Sequence, residues 1–291
     1  SLSLLVWGSG QISLCQAAFV GLGATTLSHL THSGVPWPIA LLLSGLLTMP
    51  AGALVAIPAI RLSGIYLALA TLGFGIVMQD IVFGSFLMFG SGAEVTANRP
   101  SFGIISQSDR SLYYVALSVA VLCGVAVVVI YRCRFGRFLR AMAETPLMLR
   151  SQGVSVNLTR LIVVCLSAFF AGISGGLLIT QVGTVSGVTF GSLQSLLYVV
   201  VLGICGTRLI RSPLIAAAML GIVPGYFHIT IDTQTLTFGV VAVAAALIQA
   251  KRDAIAAGIA ALAARSDQRH RPLFNPGPVR RARSRDLAVK T

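Results

Sequence analysis

The sequence predicts an all-α fold, a polytopic bundle of transmembrane helices, on the basis of its composition and the distribution of its charges. Of 291 residues, 56% are hydrophobic and only 10% are charged, whereas an average soluble domain is roughly a quarter charged. So little charge cannot cover the surface of a soluble protein of this size. The hydrophobic residues also form long charge-free runs, with the charged residues clustered between them. We therefore expect membrane-spanning helices joined by short loops.

The charge-free runs set the expected number of spans. A helix rises about 1.5 Å per residue, so crossing a hydrocarbon core of about 30 Å takes roughly 20 apolar residues. Eight runs meet or approach this length, and the third is interrupted only by Asp80. They are residues 12–30, 39–60, 65–89, 112–131, 161–182, 190–206, 213–231 and 235–250. The runs 190–206 and 235–250 are short, which fits either tilted half-spans or spans that extend into their flanks.

The two ends of the chain differ from this pattern. The opening SLSLLVW is apolar but too short to cross a bilayer, and we interpret it as the remnant of a truncated first helix that begins upstream. No cleavable signal peptide is visible. Residues 266–291 are basic and contain several prolines and glycines, which predicts a disordered cytoplasmic tail after a transmembrane domain of residues 1–265.

The positions of Lys and Arg predict the orientation, because short loops rich in these residues stay on the cytoplasmic side. With eight alternating spans, all of the 21 basic residues except Arg99 and Arg110 fall on one face. That face holds Arg61, the loop 132–160, the connection after residue 206 and the C-terminal region from residue 251. We therefore expect a multi-pass membrane protein with a cytoplasmic C-terminus. The same rule explains the net charge of +13 without any nucleic-acid partner.

Several kinds of chemistry have no support in the sequence. There is no phosphate-binding G-x-x-x-x-G-K-[ST] loop, and the only lysines are Lys251 and Lys290, so any ATP hydrolysis is expected on a partner. The five cysteines show no C-x-x-C spacing, which argues against disulfides and zinc. We expect a protein that is not an enzyme and binds no cofactor or metal.

Small residues recur along two of the predicted spans. One stripe is Ala40, Ser44, Thr48, Gly52 and Ala56, and a second is Ala168, Gly172 and Gly176. Such stripes let helix backbones approach closely. We expect them to serve assembly, with partner subunits covering them, although chance in a chain with 30 glycines would also produce such spacing.

The basic loop contains a pattern typical of a short helix. Thr145 is a good N-cap, Pro146 suits the first helical position, and Gly153 can end the helix in the left-handed conformation. A helix of about two turns is unstable alone in water, and Leu147, Met148 and Leu149 offer an apolar surface for a partner. The alternative is an ordinary turn packed on its own protein.

Two polar features lie at membrane depth. Gln11 and Ser13 follow a Gly-Ser-Gly sequence at residues 8–10, where unwound backbone can line a cavity. Asp80 is the one acidic or basic residue other than histidine inside a run, and it should face a wet path or a partner because a buried charge costs several kcal/mol there. We expect Gln11 and Ser13 in a translocation pathway, while functional and structural roles for Asp80 stay open.

Four stretches together resemble the permeases of branched-chain amino acid ABC importers, specifically the LivM-like branch. GQISLCQAAFVGLGA at residues 10–24 resembles that family's G-Q-x-S-L-G-x-A-A-F-x-G-x-G-A signature. RLSGIYLALATLGFG at residues 61–75, which contains Tyr66 and Thr71, resembles R-L-R-G-x-Y-L-A-x-x-T-L-G-F-G. FGRFLRAMAE with LRSQGVSV, followed by SAFFAGISGGLL, resembles the cytoplasmic loop and the helix after it. The resemblance covers residues 1 to about 250.

The resemblance implies a working unit that composition cannot show. In such importers two permeases pair, two cytoplasmic ATPase subunits dock below them, and a periplasmic substrate-binding protein delivers the amino acid. A coupling helix in the cytoplasmic loop lies in a cleft of an ATPase. Here it maps to Glu144, Thr145, Pro146, Leu147, Leu149 and Gly153, which is where capping chemistry predicts a helix. Tyr66 and Thr71 join Gln11, Ser13 and Asp80 as candidate pathway residues.

The chain also departs from the family pattern. Ile76 stands where members commonly carry Glu after T-L-G-F-G, and residues 203–213 read GICGTRLIRSP where G-G-x-G-x-x-x-G-P is usual. The substrate therefore stays open among branched-chain amino acids, urea, amides and other small solutes. The alternatives to an importer subunit are a secondary transporter or channel and a divergent, non-transporting membrane subunit. The former would place coupling charges in the membrane, where this sequence offers only Asp80.

Overall fold

The described structure is a helical bundle, taken from a computed structural model of the protein. It describes residues 1–62, 64–89, 94–97, 109–144, 155–205, 211–227 and 239–240. All of them belong to one compact unit, residues 1–242. The predicted tail, the predicted coupling helix beyond Glu144 and nearly all of the run 235–250 lie outside the described residues.

The described residues form ten α-helices and one small sheet. The first five helices are α1 Leu2–Ser9, α2 Gln16–His32, α3 Trp37–Arg61, α4 Ile65–Val77 and α5 Phe86–Phe89, and a π-helical turn, Met78–Val82, continues α4. The others are α6 Asp109–Arg132, α7 Arg134–Glu144, α8 Val156–Val182, α9 Ser192–Ile204 and α10 Arg211–Phe227. Strands β1 Glu94–Thr96 and β2 Thr184–Ser186 pair antiparallel, with Val95 opposite Val185.

These helices confirm the predicted all-α membrane class. In the part of the chain that the structure describes, four helices are long and apolar enough to cross a membrane: Trp37–Arg61, Ile65–Val82, Arg110–Arg132 and Val156–Val182. The runs 12–30, 190–206 and 213–231 also form helices, but these are shorter, and α9 has only 13 residues. The total of eight spans stays a prediction.

One predicted run is interrupted. Residues 65–89 were expected to form a single span, but the helix ends at Val82 and a separate helix, α5, starts at Phe86. The backbone closes tightly here, since a Cβ on Gly84 would lie 2.6 Å from the Asp80 carbonyl oxygen. The π-helical turn and this close approach replace the last turns of the expected span.

The centre of the bundle is a three-helix packing of α2, α3 and α8, built on small residues. A Cβ on Gly23 would lie 2.1 Å from the Gly172 carbonyl oxygen, and one on Gly175 would lie 1.9 Å from that of Val20. Between α3 and α8, the Thr48 hydroxyl donates to the Ala168 carbonyl at 2.9 Å. Both predicted stripes therefore meet inside this chain. The expectation that partner subunits cover them is wrong, because α3 and α8 already bury each other's small residues.

Other helices keep apolar faces that the described residues do not cover. Helix α6 buries none of its most apolar stretch, and Leu122 is 68% exposed. Helix α4 is likewise mostly exposed, with Ile65 and Ile81 on its outer face. Such faces are typical of helices that contact lipid or a neighbouring subunit.

An aromatic cluster and the small sheet pack over one side of α2. The Phe83 ring lies 5.5 Å from that of Phe89 and 6.3 Å from that of Phe190, and all three side chains are buried. Gly21 makes room for the cluster, since a Cβ there would lie 2.6 Å from the Phe83 ring. Nearby, the Ser28 hydroxyl donates to the Thr96 carbonyl and ties β1 to α2.

Candidate functional site

The helix break predicted around residues 8–10 is present between α1 and α2. Helix α1 ends at Ser9, and Gly10 takes the left-handed conformation with φ 67° while its N–H donates to the Val6 carbonyl at 3.1 Å. The Gln11 N–H also donates to the Leu5 carbonyl, at 3.1 Å. Glycine closes helices in this way because it has no Cβ to resist positive φ. Residues 10–15 are non-helical, and α2 then begins at Gln16. We call residues 10–15 the break.

Hydroxyl groups from two other helices bind the backbone of this region. The Leu14 N–H donates to Thr71 Oγ1 at 2.9 Å, and the Ala17 N–H donates to Ser195 Oγ at 2.9 Å. The hydroxyl of Thr71 in turn donates to the Ala68 carbonyl at 2.9 Å. A break frees backbone donors that a continuous helix would satisfy. Helices α4 and α9 therefore supply side-chain acceptors where the backbone leaves the helix.

A third helix binds both ends of the same segment. Gln16 Nε2 donates to Ser167 Oγ at 2.8 Å, and that hydroxyl donates to the Ser1 carbonyl at 3.2 Å. Ser1 and Gln16 therefore both lie beside Ser167 of α8. The chain turns back between them, so α1 and α2 are not one continuous helix. The single Ser167 proton goes to Ser1, so Ser167 must accept from Gln16. This fixes the Gln16 carboxamide with its nitrogen toward α8.

Three polar side-chain atoms in this region are buried without a hydrogen-bond partner among the described residues. They are Nε2 and Oε1 of Gln11 and Oε1 of Gln16. Gln11 is 6% exposed and Gln16 only 2%. An unpaired buried polar group costs about 1–3 kcal/mol. Native proteins seldom leave such a group without a water, ion or functional reason.

The predicted pathway residues divide into two groups. Ser13, with its hydroxyl 3.2 Å from the Cys15 thiol, lies in the break beside Gln11, and Thr71 binds the break from α4. Thr71 belongs to a narrow buried stripe of α4 that also contains Leu67 and Gly75.

Tyr66 and Asp80 lie elsewhere on the same helix. Tyr66 is 73% exposed in the first turn of α4, and Asp80 is exposed in the π-helical turn. Neither lies on the buried stripe that packs against the break. The neighbouring Gln79 has a structural contact, since its Oε1 accepts from the Ser192 N–H at 3.0 Å and fastens the start of α9.

The predicted coupling residues can be located only at their edges. Glu144 is the last residue of α7, and Thr145, Pro146, Leu147, Leu149 and Gly153 lie outside the described residues. Helix α7 buries Leu139 and Met142 and packs against α1. After the loop, Arg160 Nη1 donates to the carbonyls of Ala59 and Ile60 at 3.0 and 3.3 Å, at the end of α3. Both flanks of the predicted coupling helix are therefore anchored to the bundle.

Sequence reasoning missed three residues of the site. Gln16, Ser167 and Ser195 all bind in or beside the break, yet none was singled out. Each is a polar residue in or beside a charge-free run, and that is a signal, because polar groups in membrane helices tend to bind something. No spacing rule could have paired Gln16 with Ser167, which lies 151 residues further along the chain. Within the described residues no group of three or more His, Cys, Asp or Glu could hold a metal ion.

Comparison with known proteins adds the family. The model of the branched-chain amino acid transport system permease component matches residues 1–250. The chain is 31% identical over 235 residues to the high-affinity branched-chain amino acid transport system permease protein LivM of Salmonella typhimurium, and equally to that of Escherichia coli. Each match covers 71% of this chain and 55% of the relative, so the chain spans about half the length of the curated relatives it matches. No solved structure matches.

The family match and the fold agree along the chain. The matched region, residues 1–250, contains all ten described helices and the break. The break itself occupies the GQISLCQAAF stretch that sequence reasoning took as a family signature. The chain therefore belongs to the permease-component family of branched-chain amino acid transport systems.

Proposed function

We propose that this chain is the membrane-spanning permease subunit of an ATP-binding-cassette importer that moves branched-chain or related small amino acids into the cytoplasm. The family match over residues 1–250 is the observation that carries the proposal. The chain itself is then a transport subunit, and ATP hydrolysis takes place on two cytoplasmic ATPase subunits. A sister permease and a periplasmic substrate-binding protein complete the unit. The protein lies in the bacterial inner membrane with its C-terminus in the cytoplasm.

The break supports a transport role physically. Non-helical backbone at membrane depth is tolerated where it is buried in protein or lines a water-filled cavity. In many transporters such discontinuous helices form the substrate site. Gln11, Ser13 and Thr71 are proposed to line the pathway there. Tyr66 and Asp80 are proposed to contribute from the outer face of α4, where the sister permease would contact them.

Coupling is proposed to run through the loop between α7 and α8. Thr145, Pro146, Leu147, Leu149 and Gly153, together with Glu144, form a short helix that sits in an ATPase cleft. Movement of that helix would act on α7, which packs against α1. Helix α1 leads directly into the break, so this route connects the ATPase to the proposed pathway.

ATPase activity of the assembled complex tests the proposal. The chain would be co-expressed with its sister permease and ATPases and reconstituted in liposomes, with the binding protein added outside. Solute-loaded binding protein should stimulate ATP hydrolysis several-fold, and a complex without this chain should not respond. If the chain alone moves solute into liposomes without ATP, it is a secondary transporter or channel. If the full complex shows no response to any small amino acid or amide, the chain is a non-transporting subunit.

A further inference from the structure

We propose that the break, together with the start of α2, is an occluded solute site in which the carboxamides of Gln11 and Gln16 hydrogen-bond a transported solute that carries no net charge. This inference rests on the proposed function and deepens it. It assigns the recognition groups and the solute class.

The buried carboxamides are the first support. Several polar groups of this region have partners: Leu14 N–H binds Thr71, Ala17 N–H binds Ser195, and Gln16 Nε2 binds Ser167. By contrast, both polar side-chain atoms of Gln11 and one of Gln16 have no hydrogen-bond partner among the described residues. Since more than nine-tenths of each side chain is buried, bulk water cannot reach them. Groups arranged in this way call for a partner that the described residues do not supply.

The unpartnered atoms also define the chemistry of that partner. Two of them, the Oε1 atoms of Gln11 and Gln16, accept hydrogen bonds, and Gln11 Nε2 donates. The hydrogen bonds of Ser167 orient the Gln16 carboxamide, so Oε1 is the Gln16 atom that has no partner. The complementary solute offers N–H donors beside an oxygen acceptor. A zwitterionic amino acid and a small amide such as urea both meet this description.

The neutral side chains around the break limit the solute further. The polar side chains bound there among the described residues carry no charge: Ser13, Gln16, Thr71, Ser167 and Ser195, together with Gln11. A net charge on a solute in such a site would meet no charged side chain among them, and burying it would cost several kcal/mol. The start of α2 adds only a partial positive charge, which suits a carboxylate or carbonyl oxygen. A solute whose charges cancel within itself avoids this cost.

Replacement of Gln11 by leucine distinguishes a solute-binding role of this side chain from a purely structural role. The two side chains are similar in size, and Gln11 has no hydrogen bond to lose within the described protein. Gln11→Leu should therefore keep or raise the Tm of the complex, because it removes an unpaired buried group. If the site binds solute, the same change should lower the maximal uptake rate at saturating binding protein by at least about tenfold. Gln16→Leu should lower uptake similarly, and Gln181→Leu, an exposed glutamine of α8, should leave it unchanged.

The experiment uses the full reconstituted complex. Uptake and Tm would be measured for the wild type and the three variants. Binding of radiolabelled leucine, urea, glutamate and arginine would be measured on the detergent-solubilised complex without binding protein. Binding of leucine or urea to the wild type that is lost in Gln11→Leu supports the proposal. Which of the two binds shows whether the solute is an amino acid or a small amide. Equal or stronger binding of glutamate or arginine overturns the assignment to uncharged solutes.

Two further results would overturn the site itself. Wild-type uptake in Gln11→Leu and Gln16→Leu would mean that the carboxamides do not recognise solute. A lower Tm in Gln11→Leu with unchanged solute binding would mean that they hold only structural water. In both cases the wild-type complex still transports, so the proposed function stands. If the wild-type complex transports nothing, both the function and this inference fail.

Discussion

The substitution Gly23→Ala tests the packing that holds the bundle together. A Cβ at Gly23 would lie 2.1 Å from the Gly172 carbonyl oxygen and 2.5 Å from its Cα, whereas ordinary carbon contacts lie at about 3.5–4.0 Å. The neighbour is backbone and cannot rotate away, so α2 and α8 must separate by about 1 Å. A gap of 0.5–1 Å already forfeits about a quarter to a half of each van der Waals contact along the interface. We expect a destabilisation of about 1–3 kcal/mol or more, as for other overpacked cores.

A second glycine provides the matched control. Gly73 also lies inside a helix, but nothing comes within 4 Å of a Cβ placed there. Gly73→Ala should be neutral or stabilising by up to about 1 kcal/mol, because alanine is the better helix former. Thermal unfolding of both variants in detergent, followed by the loss of the monodisperse peak in size-exclusion chromatography, measures the difference. If Gly23→Ala unfolds at the same temperature as Gly73→Ala, the close approach of α2 and α8 is wrong.

The other predictions concern the break, the topology and the coupling loop. Thr71→Val should destabilise the protein by about 1–3 kcal/mol because it leaves the Leu14 N–H unpaired. Thr71→Ser keeps the hydroxyl and should have the wild-type Tm. Equal Tm values for the two variants would show that the hydroxyl does not stabilise the break. A single cysteine at position 150, in a background without the native cysteines, should react with membrane-impermeant reagents only from the cytoplasmic side. Labelling of this cysteine in intact cells would contradict the predicted topology. Gly153→Val forces a β-branched residue toward a left-handed conformation at a cost on the order of 1–2 kcal/mol, so it should reach the membrane yet lose ATPase stimulation. Leu147→Asp with Leu149→Asp should do the same by removing the apolar docking surface, whereas normal ATPase binding and uptake in both would reduce the loop to a connection.

The sequence predicted the helices of the bundle well where hydrophobicity alone decides. The run 39–60 became Trp37–Arg61, and the run 161–182 became Val156–Val182. Helix α8 starts earlier than the charge-free run because it includes Arg160, which a search for charge-free runs leaves out. Arg160 hydrogen-bonds a carbonyl at the end of α3. The break was also predictable, since the glycines that flank Ser9 mark a helix end by their conformational freedom alone.

Tertiary contacts were harder to predict from the sequence. The small-residue stripes were recognised, but periodicity cannot say whether a stripe meets a helix of the same chain or of another. The π-helical turn that continues α4 ends at Val82, beside a close approach between Gly84 and the Asp80 carbonyl that hydropathy does not register. The pairing of Gln16 with Ser167 joins segments far apart in sequence, and only the packing of α2 on α8 brings them together. The sequence therefore predicted the break in the backbone but not the hydrogen-bond partners of this region on α8 and α9.

The most direct test of the central claim is ATP-driven uptake of a small neutral amino acid by proteoliposomes that contain this chain, its sister permease and both ATPases, with binding protein outside. The permease assignment predicts accumulation of radiolabelled leucine, or of a related uncharged solute, only when ATP is enclosed and binding protein is present. Omission of this chain should abolish it. Accumulation that persists without ATP, or that is the same when this chain is left out, would contradict the account.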